Sequence, residues 1–427
     1  MRFSRPDTIA KVNRMEATRN GLGEYRRFAA GVSLRVFGVF VSLLSAIVTS
    51  RGLGVDGRGL LYTCVSAAQI AAQALAFGMP SAAVLAVAPR PALARSAIMR
   101  ALAASGGAGL AFLLVTGLLL RINPPSWVDP VVIELSPLVA GLVATQVLLW
   151  WCSSLTQALG AVDRIPLIEV IHRAVTVAWA YSALFLLKIS FARFLGSIVL
   201  VDALIGSLWL TYVRSIAPRS ADVPPWPRDW FRWSLRAYFP LALYSGVRRS
   251  DALVLTSIAG VRATGLYSIA VQVMDTCQIA PVFLGQKALY AFSAGHGDSA
   301  PLRRLRRLLP AAVICAMVLA GLTGPIWARL LFGREFSAVG PIVLALAAGA
   351  GALAWEMVAV QEVNATGYPL RLTGIWLTCF CTALVLLLAL IPVWGAMGAG
   401  TTLSLSYLLL AAMVYRLRQK IRRAQIN

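Results

Sequence analysis

Two adjacent arginines and an aspartate, Arg248, Arg249 and Asp251, stand in the middle of an otherwise apolar run. An ionisable residue in a membrane-length hydrophobic segment is costly and usually faces a bundle interior or a wet cavity. The three lie about 12–15 residues into their run. At 1.5 Å per residue that is roughly 18–22 Å deep, near a bilayer midplane. Arg248 and Asp251 are spaced to share a helix face, whereas Arg249 points elsewhere. If Arg248 and Asp251 neutralise each other, one positive charge is still left over, so a net positive, cavity-lining centre is expected here. Arg35, one to two turns inside the first apolar run, either faces the same cavity or snorkels to the surface. Asp202, Asp275 and Glu356 are isolated acids in three other runs, suited to holding a coupling proton or Na⁺, or to a protonated, hydrogen-bonding role.

What positions these charges follows from composition. The chain of 427 residues is 59% hydrophobic and 13% charged, with a mean hydropathy of +0.76. An ordinary soluble domain carries about a quarter charged residues, and about 20 apolar residues cross a bilayer. The runs are continuous rather than alternating, which favours α-helical spans over a β-barrel. The expected fold is therefore an all-α polytopic membrane protein. Twelve spans fit, near 29–50, 60–88, 97–120, 130–158, 165–187, 192–213, 236–259, 263–290, 310–332, 340–365, 369–391 and 396–415.

The net charge of +22 would suit a nucleic-acid binder, but the basic residues sit in short segments between apolar runs. The pattern is topological. With the N-terminus inside, most of the 39 Lys and Arg fall on one side, including those of segment 1–27, the linker after span six, Arg303–Arg307 and the tail from Arg416. Both termini are thus expected in the cytoplasm. The expected organisation is a basic N-terminal segment 1–27, an N-lobe 28–213, a linker 214–235, a C-lobe 236–415 and a basic tail 416–427. The first apolar run is too long for a signal-peptide core and reads as a retained helix.

The two halves echo one another. Gly54-Val55-Asp56-Gly57-Arg58-Gly59-Leu60 returns as Gly260-Val261-Arg262-Ala263-Thr264-Gly265-Leu266, with Tyr62 and Tyr267 close behind. Each copy is expected in a short loop between two spans. Gln157–Arg164 and Asn364–Arg371 form a second echo at nearly the same offset. Six spans per half give parallel repeats with a central site between them. Gly78-Met79-Pro80 and Pro281 mark expected breaks in spans two and eight.

Several motifs carry no chemistry here. Gly52-x-Gly54-x-x-Gly57 matches a dinucleotide fingerprint in letters, but lies between membrane spans and not in a βαβ unit. The six cysteines lie in or near apolar runs and are expected to be free and buried, with Cys379 and Cys381 on different helix sides. No metal-binding spacing occurs, and no cofactor is expected.

Further segments carry a resemblance. Arg51-Gly52-Leu53-Gly54-Val55-Asp56-Gly57-Arg58-Gly59 resembles the R-x-L-G-x-x-G-x-G stretch after the first span of polysaccharide flippases, in which Arg51, Gly54, Gly57 and Gly59 hold motif positions. Phe77-Gly78-Met79-Pro80-Ser81 is similar to their x-G-x-P-S. The stretch Asp251 to Tyr267 resembles D-x-x-x-L…G-x-x-x-x-G-x-Y, and Leu331–Phe336 resembles L-F-G-x-x-F. Pro392–Gly400 is similar to P-x-x-G-x-x-G-A. The family is the oligosaccharide-lipid flippase branch of the multidrug/oligosaccharidyl-lipid/polysaccharide exporter superfamily.

This resemblance implies two six-helix lobes around a central cationic cavity. It implies a bacterial inner-membrane translocase, not an enzyme, moving polyprenyl-pyrophosphate oligosaccharide by alternating access. Membrane lipids, and polysaccharide polymerase or export machinery, are the further partners expected; nucleic acid is not. Guanidinium groups fork onto phosphate oxygens, so Arg35, Arg248 and Arg249 are the candidate substrate-binding residues, chosen by depth. Three alternatives stay open: a cation-coupled drug antiporter of the same superfamily, a lipid II flippase, and a membrane polysaccharide polymerase. The antiporter would want an acid-dominated cavity, and the polymerase a sizeable outer loop.

Overall fold

A computed structural model describes residues 6–122, 134–219, 225–293, 300–364 and 370–426. The described residues are almost entirely helical, as a bilayer demands, because only internally bonded backbone survives in hydrocarbon. The helices are α1 (Pro6–Leu75), α2 (Met79–Val87), α3 (Ala94–Ile122), α4 (Ser136–Ala158), α5 (Ile165–Tyr181), α6 (Phe191–Ile216) and α7 (Trp230–Cys277). Then follow α8 (Ile279–Ser293), α9 (Ala300–Leu322), α10 (Gly324–Leu331), α11 (Val339–Asn364), α12 (Leu370–Trp394) and α13 (Ala396–Ile426).

Among the described residues, 8 helices are long and apolar enough to cross a membrane. The pair α9 and α10, bent by 72°, makes up to 9. Two of these helices are double. α1 is interrupted at Gly54 (φ 69°, ψ −176°) and α7 at Gly260 (φ 83°, ψ 170°). Such a backbone suits glycine alone. α5, of 17 residues, is extended by a π-helical turn Ser182–Leu186. With both legs of each kinked helix counted, the pieces coincide with the twelve expected spans. The protein is a multi-pass membrane protein.

The expected loops around the glycine repeats are not loops. Each repeat is one non-helical residue between two helical legs that fold back on each other, so the legs meet as a helical hairpin. Thr256 and Thr264 Oγ1 atoms lie 2.9 Å apart across one hairpin, and Arg58 Nη1 donates to Thr49 Oγ1 at 2.8 Å across the other. A single glycine with positive φ does the work that a loop of several residues would otherwise do.

The break expected in span two is present: Phe77 and Gly78 both have positive φ (47° and 67°) between α1 and α2. In span eight, α7 gives way to α8 around Gln278, just before Pro281. The second sequence echo is only half described. Gly160 ends α4 with φ 77°, while residues 365–369 lie outside the described residues.

Two apolar cores result. One is built from residues between Val41 and Ala217. The other runs from Val247 to Leu417 and also takes in Ala46 and Val55 from α1. The most extensive helix contact is α1 with α7, the two glycine hairpins. They interlock about a pseudo-twofold axis. A Cβ on Gly59 would lie 1.9 Å from the Val261 carbonyl oxygen, and one on Gly265 would lie 2.0 Å from that of Val55. Asp56 and Arg262, equivalent positions of the two repeats, pair at 3.7 Å.

Arg51 adds to the clasp, donating from Nε to Leu331 O at 2.8 Å and from Nη2 to Leu330 O. Glu335 Oε2 accepts from Val55 N at 3.3 Å. At this end of the bundle, called the kink end, the two cores are tied together. At the opposite, basic end the linker docks on α3. Trp226 Nε1 donates to Ser96 Oγ at 3.0 Å, and the Arg100 guanidinium lies 4.4 Å from the Trp226 ring centroid.

All six cysteines are free, but only Cys64, Cys152 and Cys379 are buried; Cys277 is half-buried, and Cys315 and Cys381 are exposed. The expectation of burial took every apolar-run cysteine as core, whereas a membrane bundle also turns apolar residues towards lipid. Cys379 and Cys381 do fall on different sides, one buried and one exposed.

The hairpin contact generates a test. Gly59→Ala should cost about 1–3 kcal/mol by overpacking, read as a lower unfolding temperature in detergent. Gly374→Ala, which meets nothing within 4 Å, should not lower that temperature, since Ala is the better helix former. Equal temperatures for Gly59→Ala and wild type would contradict the interlock.

Candidate functional site

Beneath the clasp the facing legs of the hairpins carry the in-span charges. Arg248 sits on the first leg of α7 and forms an ion pair with Asp275 on the second leg. Its Nη1 also donates to Tyr244 Oη at 2.7 Å. Arg249, next in sequence, points the other way and donates from Nη1 to Tyr62 Oη at 3.1 Å. Tyr62 belongs to α1, so this bond crosses between the two halves. The side chains of Arg248 and Asp275 remain 18% and 28% exposed. They are therefore largely, but not fully, buried.

Asp251 does not pair with Arg248, although their spacing allows it. It is 1% exposed and is enclosed by its own hairpin. Tyr267 Oη donates to Oδ2, and the Ala252 N–H donates to Oδ1 at 2.7 Å. Helix periodicity cannot see a partner on another leg. Here the fold-back at Gly260 supplies Asp275 to Arg248 and Tyr267 to Asp251. Asp275 is accordingly not an isolated acid.

Asp202 is not isolated either: His172 Nε2 lies 2.7 Å from its Oδ1, between α5 and α6. This pair belongs to the first core, away from Arg248 and Arg249. Glu356 is 3% exposed in the second core, and its Oε1 has no hydrogen-bond partner among the described residues. Arg35 lies on α1, but its side chain falls outside the described residues.

The four loop-motif residues serve the clasp rather than the charged site. Arg51 binds α10 carbonyls, Gly54 makes the kink, Gly59 permits the close approach, and Gly57 packs on Leu53. No group of three or more potential metal ligands occurs among the described residues.

Sequence reading gives no site role to Arg58, Tyr62, Tyr244 or Tyr267, although all but Tyr244 stand in its repeats. Arg58 reaches Ser268 Oγ at 3.3 Å as well as Thr49, so it bridges the two hairpins with neutral partners. Its position four residues past Gly54 is the available signal, which an expected loop conceals because a loop has no helix face. Around the interface, Arg58, Arg248 and Arg249 face Asp251 and Asp275. The arginines exceed the acids, and two of the three bond only to hydroxyl groups.

This arrangement of two helical repeats about a polar interface defines a class: the chain has the fold of the multidrug/oligosaccharidyl-lipid/polysaccharide exporter superfamily of transporters. An inward-facing multidrug-resistance transporter of the MATE family of that superfamily matches with a TM-score of 0.68 at 14% identity, over 93% of this chain and 98% of its own. The lipid II flippase MurJ, in an inward closed conformation, matches with a TM-score of 0.66 at 11% identity, over 91% and 86%.

In sequence, the chain is 23% identical over 256 residues to the probable flippase AglR of Haloferax volcanii, across 58% of this chain. That match spans about half the length of this curated relative (52%). No family model matches the sequence. The resemblance carried by the short motifs thus agrees with both comparisons: a flippase in sequence, and transporters of the same superfamily in fold.

The two ion-pair partners should be energetically coupled. Asp275→Asn alone strands a largely buried guanidinium, while Arg248→Gln with Asp275→Asn removes both charges. A double-mutant cycle on unfolding should give a coupling of about 1–3 kcal/mol. Additive effects would contradict the pairing.

Proposed function

We propose that the protein is a flippase that carries polyprenyl-pyrophosphate-linked oligosaccharide across a bacterial cytoplasmic membrane for the synthesis of surface polysaccharide. The observation that carries this reading is the adjacent pair Arg248 and Arg249, partly exposed at half depth where the two hairpins meet. A pyrophosphate needs donors in that position, and guanidinium groups bind phosphate oxygens in a fork. Tyr62 and Tyr244 beside them offer hydroxyls and flat rings to a sugar. Each sugar hydroxyl otherwise costs a few kcal/mol to bury in hydrocarbon, so an interior polar path lowers the barrier.

In this reading residues 28–213 and 236–415 move as two lobes joined by the linker 214–235. The clasped kink end is the outer end, and both termini are cytoplasmic, following the bias of the basic residues. An inside-negative potential favours export of the anion, at about 2.3 kcal/mol per charge per 100 mV. Asp275, partly exposed beside Arg248, and the buried Asp202 and Glu356 are the acids available to a coupling cation. Arg35 is a further candidate for the cavity. The excess of arginine over acid supports an anionic cargo over the cationic drugs of an antiporter.

The cleanest test uses Arg249, whose hydrogen-bond partner Tyr62 is neutral, so its removal breaks no ion pair. Purified protein in liposomes with a polyprenyl-pyrophosphate oligosaccharide would be assayed with an impermeant sugar-oxidising probe. Arg249→Gln should flip at least about tenfold more slowly, the loss of one charge-assisted phosphate contact. Wild-type rates in this variant would remove Arg249 from the substrate path. No flipping of several such lipids by wild type, with pH-driven efflux of a cationic dye, would replace this reading by drug antiport.

A further inference from the structure

A second group of arginines lies away from the hairpins, at the basic end of the first core. Arg95, Thr211, Arg214, Ser215 and Arg219 line a cavity of about 510 Å³ between the start of α3 and the end of α6. Three guanidinium groups around one cavity repel one another. None of the three has an ion-pair or hydrogen-bond partner among the described residues, and Arg95 Nε is buried without one. The two hydroxyls are already committed: Thr211 donates to Ser207 O at 2.9 Å and Ser215 to Tyr212 O at 2.7 Å. The free donors facing the cavity are therefore guanidinium N–H groups, and no acid among the described residues lines it. The carbonyl end of α6 offsets part of the charge of Arg214. Arg95 sits in the first turn of α3, where the helix dipole adds to its positive charge.

The surface beside the cavity bears on what an anion held there would be attached to. Along α6, Leu200, Leu204 and Leu208 are 71%, 58% and 58% exposed. Their four-residue spacing puts them on one face, which continues into Thr211 and Ser215. Along α3, Met99 and Leu102 are 66% and 44% exposed, on the face that begins at Arg95. Each helix thus presents an apolar strip capped by the cationic cavity. A phosphate tethered to acyl chains has that same polarity along its length.

We propose that this cavity is a binding site for the phosphate headgroup of an anionic phospholipid, with its chains lying along α3 and α6. Basic pockets between membrane helices at the cytoplasmic surface bind such headgroups. The site is separate from Arg248 and Arg249 and does not depend on what the protein transports.

Lipid retention on the purified full-length protein, measured by native mass spectrometry, tests this. Protein would be equilibrated with phosphatidylglycerol or phosphatidylcholine, with and without millimolar inorganic phosphate. Wild type should retain phosphatidylglycerol over phosphatidylcholine. Arg95→Gln/Arg214→Gln/Arg219→Gln should retain about tenfold less or lower still. Arg416→Gln/Arg423→Gln, exposed arginines of the tail, should match wild type. Should the triple variant not fold, Arg214→Gln/Arg219→Gln, both at exposed positions, should show an intermediate loss. Equal retention by wild type and the cavity variants, or an equal loss in the tail variant, would overturn the site. Displacement of the lipid by inorganic phosphate would overturn the lipid as its occupant in favour of a soluble phosphate.

Discussion

Everything at the centre of this protein depends on the approach of two backbones that only glycine allows. Gly59 faces the carbonyl of Val261, and Gly265 faces that of Val55, each closer than any Cβ could lie. Because the contacts are equivalent, the two hairpins are held about a local twofold axis. That axis brings Thr63 and Thr256 Oγ1 atoms to 2.6 Å and lets Arg58 reach Ser268. One polar seam follows from one steric condition. Two glycine kinks create the hairpins, and two further glycines let them touch.

The charged site inherits its geometry from the same hairpins. Arg248 and Arg249 are neighbours in sequence, so a helix sends them in different directions. One finds Asp275 on the returning leg of its own hairpin, and the other finds Tyr62 on the opposite hairpin. The first arginine ties its hairpin together; the second reaches across the interface. A relative movement of the halves would therefore change the surroundings of Arg249 more than those of Arg248. The buried Asp251 plays a different part: with Tyr267 it ties together the two legs of α7.

Much of this was legible in the residues. Apolar run length located the twelve spans, because a bilayer sets helix length. The repeated glycine motif located the contact between halves, since Gly54 and Gly260 recur with the same neighbours. What hid was whatever depends on folding back. Arg248 looked paired with Asp251 because helix periodicity reports one helix at a time, and Asp275 and Tyr267 enter only when α7 reverses at Gly260. Asp202 looked isolated for the same reason, its partner His172 lying on the preceding helix. The motif Leu331–Phe336 carried no visible link to Arg51, yet its Leu331 carbonyl accepts from Arg51 and its Glu335 accepts from Val55. Two short motifs far apart in sequence are two sides of one contact.

If the protein is the flippase proposed, the interlocked hairpins form an outer closure that must open during transport. Asp56 and Arg262 bracket that closure at exposed, equivalent positions. Spin labels at these two positions would report the distance between the hairpin tips in lipid. The account predicts one short distance in the resting protein and a second, longer population when polyprenyl-pyrophosphate oligosaccharide is supplied. A short distance that never changes with substrate, in protein that still flips, would contradict it.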